Sequence, residues 1–154
     1  MSGTLKKAWA EMVWPLLRRP PELQVAALCC RTGEDGGTEV LLITSRDTGR
    51  WVLPKGWLMK GMNAAEAARA EAREEAGVKA ARITPEPVGV YHYEKRLDDG
   101  YGAPVEVQVF RIDVEELSDT YPETRERARL WLKPQMAAAR VAEPELKALL
   151  RRLR

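Results

Sequence analysis

The sequence is poor in cysteine and histidine, and it lacks a long apolar run. The only two cysteines, Cys29 and Cys30, are adjacent in a predicted strand, where neighbouring side chains point to opposite faces. They therefore predict buried free thiols in a reducing compartment, and neither a disulfide nor a metal site. No apolar run approaches the roughly 20 residues of a membrane span, and the N-terminus lacks the basic-then-apolar order of a secretory signal. These absences predict a cytoplasmic location and no membrane partner.

The charge balance does not favour nucleic acid as a partner. Charged residues make up 31% of the chain and the formal net charge is +2, without the strong basic excess of a nucleic-acid-binding protein. At 154 residues the chain is long enough for one domain with a substantial core.

The first twenty residues are predicted to precede that domain. Apolar residues recur at helical spacing from Leu5 to Leu16, which predicts an amphipathic helix over about residues 4–14 and then a proline-containing linker. Its apolar face could dock within the chain, which we favour, or on a second subunit, so a homodimer stays open. We assign residues 1–20 to this helix and linker and residues 21–154 to the domain.

Short apolar and alternating segments predict a sheet. Strands are expected at residues 24–31, 39–44, 51–53, 88–96, 105–114 and 127–132, with the first two forming a hairpin and a turn at residues 54–56. Helices are expected at about 63–76, 134–140 and 144–151. This order predicts an α+β fold, in which helices enclose a mixed sheet as an α/β/α sandwich.

The first of these helices has clear ends and carries three carboxylates. Asn63 is a favourable N-cap and Gly77 a favourable C-terminal residue. Glu71, Glu74 and Glu75 fall at offsets i, i+3 and i+4, which places them on one helix face. Such like charges repel one another unless a cation such as Mg²⁺, which prefers oxygen ligands, lies between them. The alternative is a solvated acidic face with neighbouring arginines as partners.

The segment from Gly56 to Val78 resembles the Nudix box, whose pattern is G-x5-E-x7-R-E-U-x-E-E-x-G-U with U a bulky apolar residue. The chain departs from it at Met62, Ala70 and Ala72, which replace the first glutamate, the arginine and an apolar position. The resemblance implies the Nudix fold, with the box helix on one side of the sheet and the C-terminal helices on the other. It also implies Mg²⁺, with Mn²⁺ as a substitute, held by Gly56, Glu71, Glu74 and Glu75.

The resemblance implies that the glutamate and arginine missing at positions 62 and 70 serve in the family as supports that orient the metal-binding glutamates. The chain has two nearby arginines, Arg69 and Arg73, that could substitute for them. Loss of such supports commonly lowers activity or metal affinity by ~10–100-fold. The same glutamates, Glu71, Glu74 and Glu75, are the expected catalytic residues, and the general base is left open among them, Glu94 and Glu123.

Flanking segments are similar to the diphosphoinositol polyphosphate phosphohydrolase branch of that family over roughly residues 24–150. The similar segments are QVAALCCR, EVLLITSRDTGRWVLPKG, VQVF and a closing R-x-R-x-W. This resemblance implies a hydrolase of phosphoanhydride bonds in diphosphoinositol or dinucleoside polyphosphates. Arginine and lysine near the box suit phosphate binding, and the candidate substrate-binding residues are Ser45, Arg46, Arg50, Lys55, Arg127 and Arg129.

Other interpretations stay open. A catalytically weak Nudix-fold module could bind a nucleotide or phosphorylated ligand for regulation, and Met62 and Ala70 favour that alternative. An RNA 5′-pyrophosphohydrolase or an ADP-sugar hydrolase is also compatible, so 5′-triphosphorylated RNA is not excluded as a partner. The only histidine, His92, is expected to pack or form hydrogen bonds, and Trp57 is open as a stacking residue.

Overall fold

The fold is a mixed β-sheet covered by helices on both faces. The computed structural model describes residues 20–96 and 102–154. In chain order the elements are β1 (Glu22–Thr32), β2 (Thr38–Thr44), β3 (Trp51–Val52), β4 (Lys55–Trp57), α1 (Ala64–Ala76), β5 (Val78–Ile83), β6 (Gly89–Arg96), β7 (Gly102–Leu117), β8 (Arg129–Leu132), α2 (Pro134–Arg140) and α3 (Pro144–Arg152). The predicted N-terminal helix lies outside the described residues.

The sheet is mixed because one strand pair is parallel and the others are antiparallel. The strand order is β3-β2-β1-β7-β5, with β4 paired to β1, β6 to β7 and β8 to β2. Strands β1 and β7 run parallel, with Gln24 opposite Val107. The predicted hairpin is confirmed, since β1 and β2 pair antiparallel.

Alternation along β1 divides the interior into two cores. Ala26, Leu28 and Cys30 belong to the core shared with α2 and α3, whereas Val25, Ala27 and Cys29 belong to the core shared with α1. Both cysteines are buried and free, as predicted. The sheet therefore has the box helix on one face and the C-terminal helices on the other, which confirms the predicted sandwich.

The ends of α1 also match the prediction. The Asn63 side chain accepts a hydrogen bond from the Glu66 backbone N–H at 2.8 Å. Gly77 has φ of 75°, in the left-handed region, and its N–H donates to the carbonyls of Ala72 and Arg73. Among the described residues, no helix is long and apolar enough to cross a membrane.

Two short strands were not predicted correctly. The segment 54–56, expected as a turn, leads into β4, where Gly56 pairs antiparallel with Val25. Strand β5 follows α1 directly and pairs with β7 through two register shifts. Proline, glycine and alanine have weak strand preferences, so these strands depend on their partners in the sheet. Strand β4 matters for the site because it brings Gly56 beside α1.

Candidate active site

A cavity of about 930 Å³ is lined by residues from α1, β4, β6 and the segments before β8 and α3. It is lined by carboxylates and cations from distant parts of the sequence. The acidic residues in its wall are Asp47, Glu71, Glu74, Glu75, Glu94, Glu123 and Glu143. The predicted substrate-binding residues in its wall are Ser45, Arg46, Arg50, Lys55 and Arg127. Opposite charges lining one cavity suit an anionic ligand together with a cation.

Glu75 is the most buried of the three helix carboxylates. Its residue is only 6% exposed, and its Oε1 lies 2.8 Å from Arg127 Nη2. The Lys55 backbone N–H donates to its Oε2 at 2.8 Å. Burial raises the pKa of Glu75 to about 8, although the Arg127 guanidinium acts in the opposite direction. The sequence placed Glu75 correctly on the site face but gave no sign of these two partners.

Arg127 holds Glu75 and joins it to a neighbouring acidic residue. Its Nε lies 3.1 Å from Glu123 Oε1, and its Nη1 donates to the carbonyl of Thr44 at 3.0 Å. With all three nitrogens engaged and a side chain 9% exposed, Arg127 is a fixed part of the wall. Its contacts are those of a residue that positions Glu75, and substrate binding by Arg127 stays a prediction.

Glu71 lies directly over Gly56 of β4. A Cβ at position 56 would collide with the Glu71 carboxylate, so any other residue there would displace that carboxylate from its present position. Burial raises the pKa of Glu71, and the neighbouring Glu74 charge raises it further. A hydrogen bond to Glu75 acts in the opposite direction.

These observations fit an oxygen-liganded cation, although the carboxylates do not already form a cage. Within the described residues, no three acidic, histidine or cysteine side chains converge as a ready metal site. However, Glu71 and Glu75 are half-buried or buried carboxylates with raised pKa values. Each carboxylate oxygen that accepts one hydrogen bond retains a second lone pair. A hard divalent cation would relieve the mutual repulsion of such groups.

The predicted phosphate-binding cations occupy the same wall. The Arg46 guanidinium lies 3.3 Å from both Glu123 and Glu126. Arg46 and Arg127 therefore share Glu123 as a partner. Burial lowers the pKa of Lys55, while the nearby Glu75 and Glu143 charges act to raise it. The Lys55 ammonium lies 5.4 Å from the centre of the Tyr93 ring. These positions place positive charge in the same cavity as the α1 carboxylates.

Arg129, the sixth predicted substrate-binding residue, is not among the residues that line this cavity. Its Nη1 donates to the carbonyls of Ala76 at 2.8 Å and Ser118 at 2.9 Å. Its guanidinium also stacks 4.8 Å from the Tyr121 ring centre. Arg127 precedes β8 and lines the cavity, whereas Arg129 is the first residue of β8 and binds the C-terminal end of α1.

The two replaced box positions face a second, separate cavity of about 600 Å³. Met62 and Ala70 line it together with Arg69 and Arg73. The two arginines considered as substitutes for the missing support therefore point away from Glu75. The support comes instead from Arg127, 52 positions along the chain from Glu75, which no short-range spacing could have indicated.

Three further cavity residues were not identified from the sequence. Gln24, Tyr93 and Glu143 lie at the end of the cavity beside α3. The Tyr93 hydroxyl donates to Gln24 Oε1 at 2.6 Å. The one available signal in the sequence was Gln24, a polar residue in the apolar strand β1. In the structure it is only 5% exposed, and a buried glutamine needs hydrogen-bond partners. Trp57 also lines this end and is 40% exposed.

Comparisons with known proteins agree with this architecture. The NUDIX domain family model matches residues 22–153. Nudix hydrolase 13, mitochondrial, from Arabidopsis thaliana is 33% identical over 99 residues, which cover 61% of this chain and 48% of that protein. The chain thus spans about half the length of that relative.

Solved structures share the fold at low sequence identity. The C. elegans Ap4A hydrolase superposes with a TM-score of 0.60 at 20% identity, covering 86% of this chain and 95% of that chain. The NUDIX domain of Shewanella oneidensis NrtR, solved with ADP ribose, superposes with a TM-score of 0.62 at 14% identity. That alignment covers 97% of this chain and 95% of the NrtR chain.

Proposed function

The chain belongs to the NUDIX domain family, and from that premise we propose that it is a hydrolase of phosphoanhydride bonds. Its substrate is a polyphosphorylated small molecule of the dinucleoside polyphosphate or diphosphoinositol polyphosphate type. The observation that carries the proposal is the cavity that joins the α1 carboxylates to Arg46, Arg50 and Lys55. Positioning and charge neutralisation supply most of the rate in phosphoryl transfer, and this wall offers both.

The proposed cofactor is Mg²⁺, for which Mn²⁺ can substitute. Glu71, Glu74 and Glu75, with the carbonyl oxygen of Gly56, are the groups that would hold it. Such an ion supplies charge neutralisation to the phosphates and Lewis-acid activation to the attacking water. The fit rests on the clustered carboxylates with raised pKa values and on the close approach of Gly56 to Glu71.

The remaining residues act through position and charge. Lys55 and the two loop arginines, Arg46 and Arg50, would bind the phosphates, as lysine does through a point charge and arginine through paired donors. Arg127 keeps the Glu75 carboxylate in one orientation. Glu123 and Glu94 line the cavity, so both remain candidates for the general base beside the helix glutamates.

The competing function is a regulatory module that binds a nucleotide or phosphorylated ligand without efficient turnover. The replaced positions Met62 and Ala70 favour it. The NrtR domain, which was solved with ADP ribose, provides a structural parallel with a bound nucleotide. The Arg127–Glu75 contact weighs against this alternative, because it supplies a support that the box itself lacks.

The test is phosphate or nucleotide release from a substrate panel, with Mg²⁺ and with chelator. The panel contains diadenosine polyphosphates, a diphosphoinositol phosphate, ADP-ribose, nucleoside triphosphates and 5′-triphosphorylated RNA. We expect turnover that requires Mg²⁺ and falls by a hundredfold or more, roughly, in Glu75→Gln. A ligand that raises the melting temperature without any turnover across the panel would instead establish the binding module.

A further inference from the structure

One end of the active-site cavity contains polar groups that phosphate hydrolysis does not require. Gln24 lies on the same face of β1 as Ala26 and Leu28, which pack against α2 and α3. Tyr93 packs against that same core, and Glu143 immediately precedes α3. The cavity therefore continues from the α1 carboxylates around β4 to the opposite layer of the fold.

Glu143 presents an unsatisfied acceptor at this end. Its Oε2 is buried and has no hydrogen-bond partner within the described ranges 20–96 and 102–154. Its side chain does not cap α3. A buried carboxylate oxygen without a donor is unfavourable in a folded protein. A water molecule or a ligand group that donates a hydrogen bond would satisfy it.

Gln24 presents donors beside that acceptor. Its Oε1 accepts the Tyr93 hydroxyl hydrogen bond at 2.6 Å, and the residue is only 5% exposed. Because the oxygen is engaged, the NH₂ group is the part of the amide that remains to bind a ligand acceptor. Gln24, Tyr93 and Glu143 all line this cavity, and the Glu143 charge is among the causes that raise the pKa of Tyr93, after burial.

A flat apolar surface lies next to these hydrogen-bonding groups. Trp57 is directly opposite Gln24 in the pairing of β4 with β1, and the residue is 40% exposed. The Lys95 ammonium lies 4.8 Å from the centre of that ring. An exposed indole beside a donor and an acceptor matches a nucleobase, which has a stacking face and an edge with both N–H and acceptor atoms.

We propose that this end of the cavity binds the base of a nucleoside polyphosphate. Glu143 accepts a base N–H, Gln24 donates to a ring nitrogen or carbonyl oxygen, and Trp57 stacks on the ring. The inference rests on the proposed function for the phosphate half of the substrate. A phosphorylated inositol has no N–H donor and would bring anionic groups towards Glu143, so the site selects nucleoside polyphosphates over diphosphoinositol polyphosphates.

The test compares two ligands that differ in the nucleoside, ATP and inorganic tripolyphosphate, by calorimetry with chelator present to prevent metal-dependent turnover. The readout is the ratio of their affinities, because loss of a carboxylate charge would strengthen binding of both anions. In Glu143→Gln we expect that ratio to fall about tenfold or more, as for loss of a hydrogen bond to a charged group. Glu145→Gln is the matched control, since Glu145 is an exposed carboxylate on the same helix that bonds His92.

Three results would overturn the inference: equal binding of both ligands by the wild type, an unchanged ratio in Glu143→Gln, or an equal fall in Glu145→Gln. If Glu143→Gln does not fold, Tyr93→Phe takes its place, because it removes the hydroxyl that fixes Gln24. An unchanged ratio in that variant is also contrary to the inference. Hydrolysis with Mg²⁺ is measured separately, so an inactive wild type that keeps the ATP preference would reject only the hydrolase proposal.

Discussion

Arg127 is a positioning residue whose loss should affect both the site and the fold. Its guanidinium contacts Glu75 at 2.8 Å, and both side chains are less than one-tenth exposed. Removal of one partner from a buried ion pair leaves an uncompensated charge and costs about 3–5 kcal/mol. We therefore expect Arg127→Ala to lower the free energy of unfolding by roughly this amount and to abolish most turnover, as measured by denaturant titration and product release.

The exposed Arg125 provides the matched control for that experiment. Arg125→Ala should change neither stability nor turnover. Arg127→Lys should recover part of the stability but less of the turnover, because lysine keeps the charge without the planar fork that fixes a carboxylate. Wild-type stability and activity in Arg127→Ala would refute the assignment.

Restoring the two replaced box residues tests whether Arg127 already supplies the missing support. Met62 and Ala70 line the second cavity, apart from the Arg127 contact to Glu75. We expect Met62→Glu combined with Ala70→Arg to change kcat/KM by less than about threefold, against the ~10–100-fold that a missing support commonly costs. A gain of tenfold or more, roughly, would mean that Glu75 is poorly oriented in the natural chain.

At the level of elements, the end of α1 depends on Gly77. The residue has φ of 75°, and an added Cβ would lie 2.8 Å from the Ser118 carbonyl oxygen and would also contact the Tyr121 ring. Gly77→Ala should therefore lower the free energy of unfolding by at least about 1–2 kcal/mol. The measurement is denaturant unfolding, with Gly37→Ala as a control at a glycine without positive φ. Equal stabilities of the two variants would contradict this explanation.

Local signals account for the elements that the sequence predicted well. Helix α1 has its cap residues and its alanine-rich body within one segment, so its bounds were predicted almost to the residue. Strands β4 and β5 were missed because their formation depends on pairing with β1 and β7. Short-range composition does not contain that information.

The site residues also divide into those indicated by local sequence and those brought together only by the fold. The three α1 carboxylates follow from helical spacing, which is local. Gln24, Tyr93 and Glu143 come from β1, β6 and the start of α3, and only the three-dimensional fold brings them together. Arg127 and Arg129 are only two positions apart in the sequence, but they have different partners. Arg127 binds Glu75 in the cavity wall, whereas Arg129 binds the end of α1.

Across the whole molecule, His92 connects the sheet to its C-terminal helix. Its Nδ1 lies 3.0 Å from Glu145 of α3 and its Nε2 lies 3.1 Å from Glu106 of β7, which supports the predicted hydrogen-bonding role. Hydrogen bonds to Glu145 and then Glu106 raise the pKa of His92 above its usual 6.5. Because the folded pKa is higher than the unfolded one, the stabilising contribution is complete below the unfolded pKa and disappears as pH rises through the folded pKa.

That sign gives a direct test. NMR titration should place the His92 pKa above 6.5. The melting temperature of the wild type minus that of His92→Gln should decrease as pH is raised through the His92 pKa of the folded protein. A difference that is constant with pH, or a pKa at or below the usual one, would contradict the linkage.

The division into residues 1–20 and 21–154, the homodimer alternative and the cytoplasmic location stay predictions. The family match at residues 22–153 agrees with a domain over most of the chain. The proposed function depends most on the α1 carboxylates and the cation that they would bind.

The most direct test of this cation site is to measure Mn²⁺ binding by electron paramagnetic resonance, because the result does not depend on the choice of substrate. The wild type should bind Mn²⁺ in competition with Mg²⁺, and Glu74→Gln should weaken that binding by ~10-fold or more while the melting temperature stays close to wild type. Glu66→Gln, in the first turn of the same helix and outside the site cavity, is the control and should bind normally. Equal Mn²⁺ affinity in wild type and Glu74→Gln would contradict the metal site and, with it, the proposed hydrolysis.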